Sequence, residues 1–261
     1  MWDFEHGEAG RDFDLSYTLP SECARALEAG TADIGIIPAA ACAQIPGLMV
    51  LPGVAIASRG PVRSILLVSK LPVEKIRTVA LDTSSMTSAA LTKILFEKWL
   101  GGGRTFTPMA PDIDKMLISH DAGLLIGDPA LQIDRTRYFT LDLAEEWIRY
   151  TGKHFVFAFW AIRQAALREA TPAQDLASIF QQSRDRGLAP ASLDQLAREW
   201  APRLGLSAPG IRSYLTENIY YYLDASCLEG LQLFYRCAAE IGALPAAPEI
   251  NLLPAANAVI V

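Results

Sequence analysis

The chain has 261 residues, of which 51% are hydrophobic, and a formal net charge of −6. This length and apolar content suffice for a substantial core and exclude an intrinsically disordered chain. The 23 basic residues are interspersed with the 29 acidic ones, so no basic cluster indicates a nucleic-acid surface. No apolar run reaches the roughly 18 residues that a membrane-spanning helix needs. The acidic N-terminus lacks the apolar run of a signal peptide, and we therefore expect a cytoplasmic protein.

The metal-ligating residue types show no spacing that predicts a metal site. The four cysteines form no C-x-x-C pair, and we expect reduced, buried thiols. The three histidines are far apart and share no ligand spacing with cysteines or carboxylates. These residues are Cys23, Cys42, Cys227, Cys237, His6, His120 and His154.

The first 70 residues are predicted to form one helix and several strands. The helix opens at Pro20 with Ser21 as its N-cap and ends at Gly30. The last strand of this region is apolar on both faces, as strands inside α/β sheets are. The predicted strands are 12–19, 32–41, 48–58 and 62–70.

The region from Arg77 to Asp128 alternates strand, helix, strand, helix and strand. Its first helix, from Thr87 to Trp99, carries an apolar stripe, and glycines 101–103 end it. Because this unit is self-contained, we predict a small α/β lobe inserted in the chain.

The rest of the chain is predicted to return to the first lobe. A β-prone run at 154–163 is followed by helices at 172–186, 191–203, 210–224 and 226–242. We divide the chain into lobe one (1–72 and 154–261) and lobe two (73–153, with the hinge crossings). The predicted fold class is α/β, with two lobes, a ligand cleft between them and a helical C-terminal segment.

The first candidate site is the run DTSSMTS, where a predicted strand turns into a helix. The first N–H groups of a helix lack internal partners and lie at the positive end of its dipole. A serine can cap one of them, and the remaining groups suit a carboxylate ligand. A plain helix cap and a ligand site both stay open. The hydroxyl-bearing residues are Thr83, Ser84, Ser85, Thr87 and Ser88.

Two further candidate sites follow the ends of predicted strands. One is a loop that offers two serines, with two arginines as possible countercharges; an ordinary turn is the alternative. The other is a Gly-Asp pair after a buried strand, where open α/β sheets bind ligands; an Asx-Pro turn is the alternative. These residues are Ser58, Arg59, Arg63, Ser64, Gly127 and Asp128.

Six segments stand in fixed order along the chain. They are PSECARALEAGTADIGIIPAAA, PGVAIASRGPVRSILLVSK, VALDTSSMTS, LLIGDPAL, LAEEWIRYTGKHFVFAFWAIR and YLTENIYYYLDASCLEGLQLFYRCA. Together they resemble the chorismate dehydratase (MqnA/MqnD) family of the futalosine route to menaquinone. The resemblance implies the fold of the type II periplasmic solute-binding proteins, used in the cytoplasm as an enzyme. That fold agrees with the two lobes predicted from the residues.

The resemblance implies a hydro-lyase that converts chorismate into 3-[(1-carboxyvinyl)oxy]benzoate and water, with no metal or organic cofactor. Chorismate is then the small dicarboxylate partner; neither nucleic acid nor membrane is expected, and the oligomeric state stays open. We expect Ser84 and Ser85 to be catalytic, because oriented donors stabilise the enolate-like charge that develops. The substrate's own side-chain carboxylate is our expected base, and the protein contributes mainly positioning. The DTSSMTS hydroxyls would hold one carboxylate, and Ser58 with its loop the other.

The chain departs from the family pattern at two places. Relatives usually begin with a strand that ends in a Leu-Asn-x-x-Pro-Leu motif, whereas this chain opens at Met1. We expect that strand to lie upstream of the given start or to be lost. Met86 stands where many relatives carry arginine, which leaves Arg59 or Arg63 as the countercharge.

Three alternatives stay open. One is the sister enzyme, 1,4-dihydroxy-6-naphthoate synthase, which shares the EEW-x-x-x-TG text but carries His-Glu-Ser where this chain has Gly127-Asp128-Pro129. Another is a secreted solute-binding protein that delivers a small anion to a transporter. The third is a related protein that binds without catalysis.

Overall fold

A computed structural model describes residues 1–169 and 176–254, which form two β-sheets flanked by helices. The strands are β1 (Ile34–Pro38), β2 (Leu48–Ser58), β3 (Ile65–Ser69), β4 (Thr78–Asp82), β5 (Thr105–Met109), β6 (Ala122–Ile126), β7 (Phe139–Asp142) and β8 (Phe155–Arg163). The α-helices are α1 (Trp2–His6), α2 (Pro20–Ala29), α3 (Met86–Lys98), α4 (Ile113–Ser119), α5 (Asp128–Leu131), α6 (Leu143–Thr151), α7 (Gln164–Glu169), α8 (Leu176–Gly187), α9 (Pro190–Leu204), α10 (Ala208–Ser213) and α11 (Ala225–Glu240). Short 3₁₀ turns occur at Ala9–Asp12, Ala39–Ala43 and Val73–Lys75, and Tyr214–Asn218 is π-helical.

The first sheet has the order β1-β8-β2, with β8 antiparallel to both neighbours. In this register Ile37 lies opposite Phe159, and Ser58 lies opposite Phe155. The prediction that the run at 154–163 returns to the first part of the chain is therefore confirmed.

The second sheet has the order β5-β4-β6-β3-β7. β4 runs parallel to β5 and β6, whereas β3 is antiparallel to β6 and β7. The predicted boundary at residue 72 assigned β3 to lobe one, yet β3 pairs within this second sheet. The strands therefore place the crossings between the sheets at 59–64 and 143–154. The predicted boundary differs because the alternation of strand and helix in a sequence does not reveal which strands pair.

Two predictions near the N-terminus are wrong. Residues 13–19 form no strand, because no described strand pairs with them. Ser21 is not the N-cap of α2: Pro20 occupies the first turn, as proline prefers, and Leu19 is the capping residue. The N–H of Leu19 donates to Oε2 of Glu22 at 3.4 Å. The predicted end of α2 is confirmed, since Gly30 follows the helix in the left-handed conformation with a φ of 74°.

The predicted helix at 210–224 is correct only in its first part. Tyr220 instead pairs with Ala57 of β2 through two backbone hydrogen bonds, each 2.8 Å long, so the chain is extended there. Three consecutive tyrosines favour an extended chain, and the outer edge of β2 provides the unpaired backbone groups. Residues 172–175 of another predicted helix lie outside the described residues.

One hydrophobic cluster joins both sheets. It contains Ile37 and Phe155 from the first sheet, Leu91 of α3, Trp147 of α6 and Phe234 of α11, each at most 1% exposed. The N-terminus of α3 is therefore held where the two sheets meet. Among the cysteines, three are buried and Cys42 is partly buried; all four are free thiols, as predicted.

Candidate active site

The run DTSSMTS caps α3. Oγ of Ser85 accepts from the N–H of Ser88 at 3.2 Å and donates to Oγ of Ser88 at 2.9 Å. The hydroxyl of Ser84 donates to Oδ1 of Asp82 at 2.6 Å. The capping interpretation is therefore confirmed for Ser85. The N–H groups of Met86 and Thr87 have no acceptor within the described residues, so they remain free for a ligand.

Asp82 connects this helix start to the neighbouring strand, a role that sequence reasoning missed. Its carboxylate is buried at 2% exposure. Besides the two groups of Ser84, it accepts from the N–H of Ile126 at 3.3 Å. The next residue, Gly127, donates its N–H to the carbonyl of Ser64 at 2.7 Å. The structure therefore brings three predicted site segments together: the start of α3, Gly127 and Ser64.

Thr87 and Ser88 face inward. Each is 1% exposed. Oγ1 of Thr87 accepts from the N–H of Ala40 at 3.0 Å, which ties α3 to the turn after β1. Thr83, by contrast, is exposed. The five hydroxyls thus divide into those that hold the helix in place and those at its surface.

Ser58 closes a turn. It is fully buried, donates to the carbonyl of Gly60 and accepts from the N–H of Gly60 at 3.2 Å. Asp142 holds the rest of the loop by accepting from the N–H groups of Val62 at 3.2 Å and Arg63 at 2.7 Å. Arg63 has a φ of 63°, a conformation that is uncommon for a non-glycine residue.

Arg59 has partners on the extended segment after the π-helical turn. Its guanidinium lies 3.3 Å from Oδ2 of Asp224 and 3.5 Å from the centre of the Tyr220 ring. The Tyr220 hydroxyl donates to the same carboxylate oxygen at 2.7 Å. Partial burial and the Asp224 carboxylate raise the pKa of Tyr220 to about 12. Arg63 makes no ion pair with any described residue, so it is the freer countercharge.

His154, Asp224 and Cys227 come together although their spacing gave no metal signal. Their potential ligand atoms lie within 4.8 Å of one another, and Nδ1 of His154 is buried without a partner. However, Arg59 already supplies the positive charge at Asp224. Burial, followed by the nearby Asp224 carboxylate, raises the pKa of the Cys227 thiol to about 12. The cluster is therefore better described as a neutral Cys227 thiol beside the Arg59–Asp224 ion pair than as a metal site.

Tyr214 brings the C-terminal segment to the site. Its hydroxyl donates to Oγ of Ser64 at 2.9 Å. Gly127, with φ of 63°, faces open space: a side-chain carbon there would meet no atom within 4 Å. Asp128 beside it is exposed at the start of α5. No local pattern distinguishes Tyr214, although it begins the segment YLTENIYYYLD that carries part of the resemblance.

A family model described as menaquinone biosynthesis matches residues 1–240. The chain belongs to the menaquinone biosynthesis family. This menaquinone biosynthesis protein is also 30% identical over 254 residues to the chorismate dehydratase of Thermus thermophilus. That alignment covers 90% of this chain and 89% of the relative.

Solved structures confirm the predicted fold class for this menaquinone biosynthesis protein. A protein from Archaeoglobus fulgidus matches with a TM-score of 0.66 and 17% identity, covering 88% of this chain and 86% of that one. The periplasmic aliphatic sulphonate binding protein SsuA from Escherichia coli matches with a TM-score of 0.63 and 17% identity, covering 92% of this chain and 81% of that one. A Candida albicans protein with the generic periplasmic binding protein fold matches with a TM-score of 0.61 and 12% identity, covering 96% of this chain and 92% of that one.

A surface cavity of about 440 Å³ lies away from these residues, between α11 and residues 247–251. It is lined by Gln232, Tyr235 and Arg236 among others. None of the candidate site residues borders it, so the cavity takes no part in the site described above.

Proposed function

We propose that this protein is a chorismate dehydratase, which converts chorismate into 3-[(1-carboxyvinyl)oxy]benzoate and water in menaquinone biosynthesis. The observation that carries the proposal is the 30% identity to the Thermus thermophilus chorismate dehydratase over 90% of the chain. It favours the dehydratase over the sister synthase and over a binding protein. The cytoplasmic location expected from the sequence remains part of this proposal.

The reaction requires a proton and a hydroxyl to leave neighbouring ring carbons. The proton leaves the carbon that bears the enolpyruvyl ether, and its electrons form the double bond that completes the aromatic ring as the hydroxyl departs. Negative charge develops on the ring during this process, and fixed N–H and O–H donors stabilise such charge. The substrate's side-chain carboxylate serves as the base, so the protein mainly positions the reactants.

The N-terminus of α3 is our proposed binding site for one carboxylate. The free N–H groups of Met86 and Thr87 belong to the first turn of α3 and directly follow Ser84 and Ser85 in the chain. A carboxylate there gains hydrogen bonds and the favourable end of the helix dipole. Because both serine hydroxyls have internal partners in the free protein, we propose that they reorient toward the bound substrate.

The loop before β3 is our proposed site for the second carboxylate. Arg63 supplies the charge and Ser64 the hydroxyl, with Gly127 and Asp128 bordering the open space beside them. The side chains of three residues buried behind this surface hold it in shape rather than contact the ligand. These supporting residues are Ser58, Thr87 and Ser88.

A turnover assay with chorismate tests the proposal. We expect the wild-type chain to consume chorismate and form the carboxyvinyloxybenzoate, detected by chromatography. Ser84→Ala and Ser85→Ala should each reduce turnover at least about tenfold, since loss of one stabilising donor commonly costs 100-fold or more. Ser119→Ala, at an exposed serine on α4, is the control. Absence of product with the wild-type chain would reject the function, whereas unchanged serine variants would reject only the site.

Ser85→Ala also removes a helix cap, which costs about 1 kcal/mol. Ser85→Thr keeps both the cap and a hydroxyl, so it separates the two effects. We expect Ser85→Thr to retain most of the turnover that Ser85→Ala loses.

A further inference from the structure

Asp142 lies where the two crossings between the sheets come together. It is the last residue of β7, and its register partner in β3 is Leu66. The first crossing, at 59–64, ends immediately before β3, and the second, at 143–154, begins immediately after Asp142. The pairing of β3 with β7 therefore brings one aspartate next to the end of one crossing and the start of the other.

The carboxylate of Asp142 accepts hydrogen bonds from both crossings. Oδ1 accepts from the N–H groups of Ala144 at 3.1 Å and Glu145 at 3.3 Å, as an aspartate does when it caps a helix. The same oxygen accepts from the N–H of Val62 at 3.2 Å, and Oδ2 accepts from the N–H of Arg63 at 2.7 Å. Asp142 is only 6% exposed, so protein donors rather than water satisfy its carboxylate.

Helix capping uses only one of the two carboxylate oxygens. Oδ1 serves α6 and Val62, whereas Oδ2 accepts from Arg63 and from no other residue that the structure describes. The bond to Arg63 is also the shortest of the four. Capping of α6 therefore does not explain the whole arrangement, and Asp142 has a second role at Arg63.

The backbone of Arg63 depends on its neighbours for its conformation. Its φ of 63° lies in the left-handed region, which is unfavourable for a residue with a Cβ and persists only where surrounding contacts impose it. Its N–H donates to Asp142, and its carbonyl accepts from Nη2 of Arg135 at 3.3 Å. Because the backbone conformation limits the directions that a side chain can take, these bonds determine where the Arg63 guanidinium can reach.

Ser64, the next residue, is held by contacts of its own. Its carbonyl accepts from the N–H of Gly127 at 2.7 Å, and its Oγ accepts from the Tyr214 hydroxyl at 2.9 Å. The Arg63 side chain is exposed instead and forms no ion pair in the described part of the chain. Of the two residues assigned to the second carboxylate, Arg63 is therefore the one whose placement depends on Asp142.

We propose that Asp142 is a positioning residue that directs the Arg63 guanidinium toward the second carboxylate of the substrate. This inference rests on the proposed dehydratase function. Asp142 acts through the backbone of Arg63, because its own oxygens are occupied by N–H donors and its charge would repel a carboxylate. The contact between Arg63 and the substrate is present both before and during the reaction, so its loss raises KM more than it lowers kcat.

Asp142→Asn separates the bond to Arg63 from the helix cap. Asparagine is also a good N-cap, and its amide oxygen in place of Oδ1 keeps the three donors on that side. Its NH₂ group in place of Oδ2 then faces the N–H of Arg63 and cannot accept from it. We expect KM for chorismate to rise about tenfold and kcat to stay within about threefold of wild type, because the charged contact loses its geometry.

The sign of the change in KM is itself diagnostic. Removal of a negative charge near an anion site would by itself lower KM, whereas loss of positioning raises it. Asp112→Asn is the matched control, since Asp112 caps α4 by accepting from the N–H of Lys115 at 3.2 Å, and no candidate site residue belongs to α4. It should leave KM within about twofold of wild type.

A double-mutant cycle with Arg63→Ala tests whether Asp142 acts through Arg63. Arg63→Ala, at an exposed side chain, should raise KM at least about tenfold, and Asp142→Asn should add less than about twofold in that background. An unchanged or lowered KM in Asp142→Asn, or an equal increase in both backgrounds, would overturn the proposal.

Circular dichroism verifies the folding of each variant. If Asp142→Asn folds poorly, Asp142→Ser takes its place in the cycle with the same expectations, because serine caps a helix but its single oxygen leaves Arg63 without an acceptor. A wild-type chain that fails to consume chorismate would instead reject the proposed function itself.

Discussion

The carboxylate of Asp121 joins the turn before β6 to the start of β4. It accepts from the N–H of Arg77 at 2.8 Å, and from the N–H and Oγ1 of Thr78 at 3.0 and 3.1 Å. These bonds, led by the one from Arg77, lower the pKa of Asp121 below its ordinary value of 3.8. The folded state therefore prefers the ionised form of this side chain, which links stability to pH.

Asp121→Asn should destabilise the protein by about 1 kcal/mol at neutral pH, because it weakens hydrogen bonds to a charged acceptor. A lowered pKa in the folded state means that the ionised Asp121 stabilises the fold above its unfolded pKa. This contribution disappears as the pH falls through the folded pKa. The difference between wild type and Asp121→Asn should thus be full at pH 7 and shrink below pH 3.8.

Urea unfolding at a series of pH values measures this difference. Asp14→Asn, at an exposed aspartate outside the helices and strands, is the control and should change little at any pH. A difference for Asp121→Asn that stays constant down to the acid limit of folding would contradict the prediction.

At the scale of residues, the sequence was sufficient to find those parts of the site whose interactions are with near neighbours in the chain. The serines after β4 were recognisable because a helix cap and its N–H groups lie within a few residues of each other. Asp82, Asp142 and Tyr214 were missed, since each acts on backbone or side chains that are distant in sequence. When the hydrogen-bond partners of a buried aspartate lie far away in the sequence, its neighbours in the chain do not distinguish it from a solvated aspartate.

At the scale of elements, the packing of α11 against β8 depends on one glycine. Gly230 lies inside the helix, as predicted, and a Cβ at this position would overlap the carbonyl oxygen of His154. Glycine in a helix interior weakens the helix by up to about 1 kcal/mol relative to alanine. Its presence here reflects the close approach of the two elements.

Gly230→Ala should destabilise the protein by about 2–3 kcal/mol, because the overpacking cost exceeds the gain in helix propensity. Chemical unfolding gives the value. Gly60→Ala is the control for stability, since a Cβ at Gly60 would meet no atom within 4 Å. A Gly230→Ala variant as stable as wild type would show that α11 can shift away from β8 without cost.

Most elements were predictable from hydrophobic periodicity, and the failures have a common cause. Residues 13–19 resemble a strand but find no partner, and 219–224 resemble a helix but pair with β2. β3 looked like a strand of the first lobe because its apolar faces do not specify a neighbour. In all three cases the sequence carries local preference, whereas the outcome depends on which backbone groups are available elsewhere.

At the scale of the whole molecule, the two sheets are joined through the start of α3. The hydrogen bond from the N–H of Ala40 to Oγ1 of Thr87 spans 3.0 Å between the turn after β1 and the helix after β4. The two-lobed class was predictable from the inserted strand-helix alternation. The shared core and this bond were not, because they depend on how the lobes face each other.

Thr87→Val should destabilise the protein by about 1–3 kcal/mol, since it leaves a buried N–H without an acceptor. It should also raise KM for chorismate more than it lowers kcat, because the helix start loses its fixed position against the first sheet. Thr92→Val is the matched control on the same helix: the Thr92 hydroxyl donates to the carbonyl of Ser88 at 2.8 Å and serves no N–H. Equal effects of the two substitutions on KM would contradict this role for Thr87.

The turn Ala39–Ala43 is where these connections meet. Ala40 bonds to α3, and the carbonyl of Ala39 accepts from the Tyr235 hydroxyl of α11 at 2.8 Å. Ala39, Ala40 and Ala41 are at most 2% exposed, and alanine has no side-chain rotamers that could absorb a displacement. The turn therefore acts as a stiff mechanical linkage. We therefore expect a displacement of α11 to be transmitted through this turn to α3, the helix that presents the serines.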